Sequence, residues 1–201
     1  MMFALVESGS IIKMLRGNRG ITIDGIQHPR AIYTLWTEAE RNAIGIYTIE
    51  YDDNNKKDEK WYINTNQSYA FGSGKVTATY GTATAKSHAD ANFTAQDETD
   101  GLGTEGELKS RGLKYKLIQD VKLEAANELA KTDWYVVRKT EESTAIPSAI
   151  TTHRRAVRSK QAAMETAITN ASDTPALETL YTFTKQDDGT VTRPLGIIPT
   201  L

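Results

Sequence analysis

The stretch from residue 81 to residue 106 places the strongest constraint on the fold, because its only large apolar side chains are Phe93 and Leu102. It is rich in Ala, Thr, Gly, Asp and Glu, and a segment of that composition cannot build a hydrophobic core alone. The spacing of apolar residues also changes, from alternation before this stretch to a helical period after it. We therefore predict an α+β chain with a small β-rich domain at 1–80, an acidic low-complexity segment at 81–106 and a helical domain at 107–201.

Two roles are open for the 81–106 segment. It is either an interdomain linker or an extended arm that orders only against a neighbouring subunit. The 81–106 segment is acidic, and it has few basic residues to balance the charges of Asp90, Asp97, Glu98, Asp100 and Glu105.

The first domain is predicted to consist of short strands joined by tight turns, with one short helix. Alternating apolar residues on both sides of a turn predict three hairpins, with turns at residues 7–10, 24–25 and 72–74. A further strand is predicted at residues 46–51. Thr37 and Glu40 have the spacing of a helix capping box, and Gly45 is expected to end the helix that they begin.

The second domain is predicted to be built on a helical hairpin. One apolar stripe recurs every four residues, at Leu113, Leu117, Val121, Ala125 and Leu129. It predicts an amphipathic helix of about 20 residues within 107–132. A second stripe follows the helix-start signal at Pro147 and predicts the partner helix, with Ile150, Val157, Met164 and Ala171. A third short helix near Pro175, a terminal hairpin around Asp188 and Gly189, and an exposed apolar tail, PLGIIPTL, complete the prediction.

The connector between the two long helices, KTDWYVVRKTEESTAIP at 131–147, carries more apolar surface than a connector needs. Trp134 and Tyr135 are followed directly by two valines. These side chains either fold back over the open end of the helix pair or form a docking surface, because aromatic residues are enriched at protein interfaces. The sequence leaves both readings open.

A cationic strip, HRRAVRSK at 153–160, lies in the second long helix, and its cations are Arg154, Arg155, Arg158 and Lys160. One reading is a solvated helix face, partly paired with carboxylates of the same domain at Glu124, Glu128 or Glu165. Another is contact with an acidic protein surface, for example the acidic segment of a neighbouring copy. Nucleic acid is the least favoured partner, because the net charge is -2 and no aromatic residues interleave with the cations.

No set of residues predicts catalysis or cofactor binding. The chain has no cysteine, which excludes disulfides and thiolate metal sites. His28, His88 and His153 stand in unrelated contexts, and none has a second ligand at metal spacing. We therefore expect no catalytic residues, no metal, no cofactor, no small-molecule substrate, no export signal and no membrane span.

Two segments resemble sequences from tailed bacteriophages. The segment from Glu128 to Ser159 resembles part of the tail-fibre assembly and tail assembly chaperone families, in which a Thr-Asp-Trp triplet, here 132–134, precedes a proline and a helix. That helix carries a Tyr/His-Arg pair, here His153 and Arg154. HPRAIYTLWTEAERNAIGI, which starts at residue 28, is similar to a segment common in phage tail and fibre-associated proteins. Together these segments cover about a quarter of the chain.

The resemblance implies a non-enzymatic structural component of the virion, made in the bacterial host cytoplasm and attached to the tail, neck or fibres. The alternative that it implies is a tail-fibre assembly chaperone that leaves before the particle matures. A tail-associated enzyme is a third class, which the lack of a catalytic set disfavours. The implied partners are other tail, neck or fibre proteins and further copies of the chain. We expect contact surfaces at Trp134, Tyr135, Arg154, Arg155, Arg158, Leu195, Ile197, Ile198 and Leu201.

Overall fold

The computed structural model describes residues 2–65 and 67–201, and the chain divides into two units, Met1–Thr84 and Ala85–Leu201. The predicted α+β class is confirmed, since strands and helices are both abundant. Met1 and Asn66, which fall in stretches predicted to form hairpin strands, lie outside the described residues.

The first unit is built from short strands and two short helices. In chain order these are β1 (Phe3–Glu7), β2 (Ser10–Leu15), β3 (Ile21–Ile23), β4 (Ile26–His28), α1 (Ile32–Leu35), α2 (Glu38–Ala43), β5 (Ile46–Asp52), β6 (Tyr62–Ile63), β7 (Ser68–Gly72) and β8 (Lys75–Thr79). A two-residue strand, β9 (Thr84–Ala85), stands at the boundary of the units.

Five strands of this unit form one curled sheet in the order β2-β1-β5-β8-β7. β1 pairs antiparallel with β2 and β5, β5 pairs parallel with β8, and β8 pairs antiparallel with β7. Alternate residues of β1 enter two different hydrophobic clusters. Phe3 and Leu5 pack with Ile32 on one face of the sheet. Ala4 and Val6 pack on the other face, so β1 is buried on both sides.

The three predicted hairpins are confirmed, and their turns share one backbone geometry. Both central residues of each turn have positive φ, as in type I′ turns: Ser8 and Gly9, Asp24 and Gly25, and Ser73 and Gly74. That geometry matches the right-handed twist of the flanking strands and fixes the register of each pair. The predicted strand at 46–51 is also confirmed, as β5.

The predicted capping box is present at the start of α2. The Thr37 hydroxyl accepts a hydrogen bond from the Glu40 backbone N–H, and the Glu40 carboxylate accepts one from the Thr37 N–H at 2.7 Å. The hydrogen bond from the Thr37 N–H, and then the one from the Thr37 hydroxyl at 2.8 Å, hold the pKa of Glu40 below its usual range. The helix ends before Gly45, which has φ of +78°.

The second unit contains short strands around longer helices. In chain order these are β10 (Ala91–Asn92), α3 (Ala95–Thr99), β11 (Leu108–Ser110), α4 (Leu113–Ala130), α5 (Asp133–Glu142), α6 (Ser148–Asn170), α7 (Thr174–Tyr181), β12 (Thr184–Lys185) and β13 (Val191–Thr192). β10 pairs with β11, and β12 pairs with β13 as the predicted terminal hairpin.

The predicted helical hairpin is formed by α4 and α6, which pack antiparallel. Side-chain contacts follow the pair from end to end, joining Lys114 to Thr169, Lys122 to Glu165 and Glu128 to His153. Both predicted stripes supply its core, with Leu117, Val121, Ala125, Val157, Met164 and Ala171 all buried. The third predicted helix is α7, capped by the Asp173 carboxylate.

The first long helix, predicted within 107–132, runs from Leu113 to Ala130, and the helical pattern does not extend back to residue 107. Residues 108–110 instead form β11, which pairs with β10. The first helical amides are satisfied from an earlier segment: Asp90 accepts from the Gly112 N–H at 2.8 Å, and Ser87 O accepts from the Leu113 N–H at 3.0 Å. Part of the 81–106 stretch thus lies against the start of α4.

The connector between the long helices, for which no helix was predicted, is largely a helix, α5. Asp133 stands in its first turn and Lys139 in its last, both favourable to the helix dipole. The guanidinium of Arg138 lies 4.8 Å from the ring centre of Trp134, one turn away. Ser143, with φ of +59°, ends the helix.

The apolar tail was expected to be exposed, and this is wrong for two of its residues. Leu195 and Ile198 keep only 2% and 3% of their surface exposed. The Leu195 N–H also donates to Leu180 O at 3.0 Å, which fixes the tail beside α7. These two side chains therefore belong to the core of the second unit.

Candidate protein interface

Arg154 joins the α4–α5 turn to α6. Its Nη1 donates to the Leu129 carbonyl oxygen at 2.8 Å and to the Thr132 hydroxyl at 2.6 Å. Its Nη2 donates to a carboxylate oxygen of Asp133 at 2.8 Å. Thr132 is 2% exposed and Arg154 8%. Arg154 is thus used by the fold itself and cannot present its charge as a free surface cation.

A second cluster forms around the buried carboxylate of Glu128. Lys131 Nζ lies 2.5 Å from Oε2, and His153 Nε2 lies 3.0 Å from Oε1. The Leu201 backbone N–H donates to the same Oε1 at 3.0 Å. The hydrogen bond from Lys131 is the main cause that lowers the pKa of Glu128, with smaller contributions from Leu201 and His153. The cluster ties the apolar tail to the helix pair.

The strip at 153–160 is therefore divided by the structure. Arg154 is buried, whereas Arg155 and Arg158 are exposed. Within the described parts of the chain, neither Arg155 nor Arg158 makes an ion pair, and Glu165 is instead 3.8 Å from Lys122. Two of the three predicted interface arginines remain as surface charges.

One face of α5 presents apolar side chains to solvent. Trp134 is 51% exposed and Val137 is 52% exposed, and their three-residue spacing places them on the same side of the helix. Tyr135, the other predicted aromatic contact, is half-buried beside Trp134. We call Trp134 and Val137 the α5 patch. We predicted, as one of two readings, that these aromatics cover the open end of the helix pair. About half of Trp134 is nevertheless exposed to solvent.

The opposite side of α5 borders a groove of about 540 Å³ against the first turns of α6. Apart from Arg154 in its wall, it is lined by Val136, Ile146, Thr151, Arg155, Arg158 and Ser159. No carboxylate is among these residues, and Arg155 and Arg158 are both exposed. We call this feature the arginine groove.

The predicted tail residues fall into two groups. Ile197 is 54% exposed and Leu201 is 65% exposed, so both remain available for contact, while Leu195 and Ile198 are buried. Sequence reasoning did not select Val137, Val136 or Ile146 as contact residues. The spacing of Trp134 and Val137 was the available signal for the α5 patch, whereas the groove depends on the meeting of two helices.

Residues 2–65 and 67–201 contain no group of three His, Cys, Asp or Glu side chains that could hold a metal ion. Over the same residues, no helix has both the length and the apolar content needed to cross a bilayer. Comparison with protein-family models, with curated proteins and with solved structures finds no match to the chain.

Proposed function

We propose that the protein is a non-enzymatic structural component of a tailed bacteriophage virion, associated with the tail, neck or fibres and acting through protein–protein contacts. The phage assignment is supported by the resemblance of two segments, 28–46 and 128–159, to phage tail proteins. The contact role is supported by the geometry of α5.

The single observation that carries the contact role is that α5 has no buried residue. Isolated helices shorter than about 12–15 residues are marginal in water, and most helical stability in proteins comes from packing an apolar face. α5 has ten residues and keeps the α5 patch in solvent. A partner that covers Trp134 and Val137 would supply the missing packing, and central Trp residues commonly dominate binding energy.

The two motifs of the segment 128–159 that resemble phage proteins have a physical role in this proposal. The Thr-Asp-Trp triplet and the His-Arg pair meet in space, because Arg154 bonds both Thr132 and Asp133. These bonds fix where α5 leaves α4. They hold Trp134, the next residue, in a defined position for a partner.

A tail-fibre assembly chaperone is the second candidate, because an exposed helical patch also suits transient binding of a fibre protein. The two candidates differ in whether the protein stays in the particle. An exposed apolar tail would favour a part that is locked into an assembly, and the burial of Leu195 and Ile198 weakens that argument for a virion component.

The test is quantitative mass spectrometry of gradient-purified infectious particles, with the major tail protein as the internal standard. A fixed stoichiometric ratio through successive gradients is expected for a virion component. Loss of the protein during purification, together with its co-purification with a fibre protein from infected-cell lysate, would replace the proposal with the chaperone. Absence from both fractions would reject both.

A further inference from the structure

The acidic residues near the middle of the chain form an ordered tip. β10 and β11 pair, and α3 with its following turn closes the connection between them. The Thr94 hydroxyl and the Asp97 carboxylate form a capping box, and Lys109 Nζ lies 2.6 Å from Asp97. The Phe93 N–H donates to Glu107 O at 2.9 Å, which closes the base of the tip. All of these contacts are made within the segment itself, and none of them requires a partner.

The outer residues of this tip combine negative charge with an apolar side chain. Glu98, Asp100 and Glu105 are exposed, and Leu102 is 60% exposed. Lys109 is engaged by Asp97, and among the described residues no cation forms an ion pair with Glu98, Asp100 or Glu105. We call Glu98, Asp100 and Leu102 the acidic tip.

The arginine groove has the complementary properties. It is lined by the apolar side chains of Val136 and Ile146 and by two cations without an ion pair among the described residues, Arg155 and Arg158, and no carboxylate lines it. A partner that fits must therefore present one apolar side chain flanked by carboxylates. The acidic tip presents that combination, and a second copy of the chain brings it at the same concentration as the groove.

We infer that the arginine groove of one copy binds the acidic tip of another, with Leu102 against Val136 and Ile146, and with Glu98 and Asp100 near Arg155 and Arg158. Groove and tip are different surfaces, so the contact is heterologous, and each copy keeps one free groove and one free tip. Such contacts grow into rings or open chains rather than stopping at a symmetric dimer. The inference rests on the proposed role in protein–protein contacts, but not on the kind of particle.

The experiment is sedimentation velocity of the purified full-length chain at 50 mM and 500 mM salt, with two neutralised variants. The groove variant carries Arg155→Gln and Arg158→Gln, and the tip variant carries Glu98→Gln and Asp100→Asn. The wild-type chain should form a concentration-dependent series of oligomers that weakens at high salt, because the charges are exposed. Each variant alone should associate at least about tenfold more weakly.

Mixing the two variants gives the sharper result. The intact tip of the groove variant can bind the intact groove of the tip variant, so a one-to-one complex should form and grow no further. The matched control, Arg19→Gln with Lys116→Gln, removes two exposed cations elsewhere and should associate like the wild-type chain.

Three outcomes would overturn the inference: a wild-type chain that stays monomeric at low salt, unchanged association in either neutralised variant, or no complex in the mixture. A variant that unfolds would show it by circular dichroism, and Leu102→Ser then serves as a charge-neutral replacement for the tip variant. This experiment uses only the purified chain. A negative result would therefore reject the self-association without bearing on whether the protein is incorporated into particles. Conversely, absence of the protein from purified particles would not contradict its self-association.

Discussion

The guanidinium of Arg154 lies 2.8 Å from the Asp133 carboxylate, an ion pair between two residues that are 21 positions apart in the chain. It connects the first turn of α5 to the body of α6. Asp133 is 59% exposed in its side chain, so the pair alone is weakly stabilising. The bond from Arg154 to Thr132 is buried and the bond to Leu129 is partly buried, so these two bonds carry more of the stabilisation.

Replacing Arg154 by Met should destabilise the second unit by about 2 kcal/mol, because the buried Thr132 hydroxyl and the partly buried Leu129 carbonyl would each lose a charged donor. Urea unfolding followed by circular dichroism measures the change. Arg155→Met is the matched control and should change the free energy of unfolding by less than about 0.5 kcal/mol, since Arg155 is exposed. Equal effects of the two substitutions would contradict the assigned role of Arg154.

Gly45 is required by both its backbone angle and its surroundings. Its φ is +78°, and a Cβ there would lie 2.6 Å from the Val6 carbonyl oxygen. Gly25 has the same φ with open space around it. We expect Gly25→Ala to cost about 1 kcal/mol from backbone strain alone, and Gly45→Ala to cost at least about 3 kcal/mol because β1 must also move. Thermal unfolding measures the loss of stability in each variant. Similar losses in both would show that β1 can move away from residue 45 at little cost.

The tail should behave as core at two positions and as surface at a third. Leu195→Ala and Ile198→Ala should each destabilise the second unit by about 3 kcal/mol through the cavity that they leave. Ile197→Ala, between them in sequence, should change stability by less than about 0.5 kcal/mol. Hydrogen exchange of α7 amides measures the difference, and equal protection in all three variants would mean that the tail does not pack there.

Asp97, which caps the helix that carries Glu98, has a pKa lowered to about 2, first by the hydrogen bond from Lys109 and then by the Thr94 backbone N–H. A carboxyl whose folded pKa is depressed stabilises the fold above its ordinary pKa of 3.8, and this stabilisation is lost as pH falls toward about 2. NMR titration of the Asp97 carboxyl should show the low value, and Lys109→Met should raise it. Lys116→Met is the control. A pKa near 3.8 for Asp97 in the wild-type chain would contradict the contacts of Asp97 with Lys109 and Thr94.

Local signals in the sequence were sufficient for much of the fold. Hairpin turns such as Asp24–Gly25 and the Thr37–Glu40 capping box depend on neighbours within a few residues, and both were predicted. The stripe of α4 was also predicted, because a helix that packs on one side repeats its apolar residues at its own period.

Features that depend on distant partners were missed. α5 lacks a buried stripe, and its run of bulky and β-branched residues at 134–137 has low helix propensity, so the three-residue spacing of Trp134 and Val137 was the main helical signal in it. Burial of Leu195 depends on its bond to Leu180, across the terminal hairpin. Arg154 was predicted as a surface cation because its Thr132 partner lies 22 residues away. No local pattern shows such a pairing.

The most direct test of the central claim, that the α5 patch anchors the protein in an assembly, is the amount of a patch variant that enters particles. Trp134→Ser with Val137→Asp should leave α4 and α6 folded, since neither side chain is buried, and Lys139→Gln on another side of α5 is the control. Particles are assembled with each variant as the sole source of the protein and analysed by quantitative mass spectrometry. The control variant should be present at the wild-type ratio. The patch variant should be depleted at least tenfold, which corresponds to about 1.4 kcal/mol of binding free energy. Incorporation of the folded patch variant at the wild-type ratio would contradict the account.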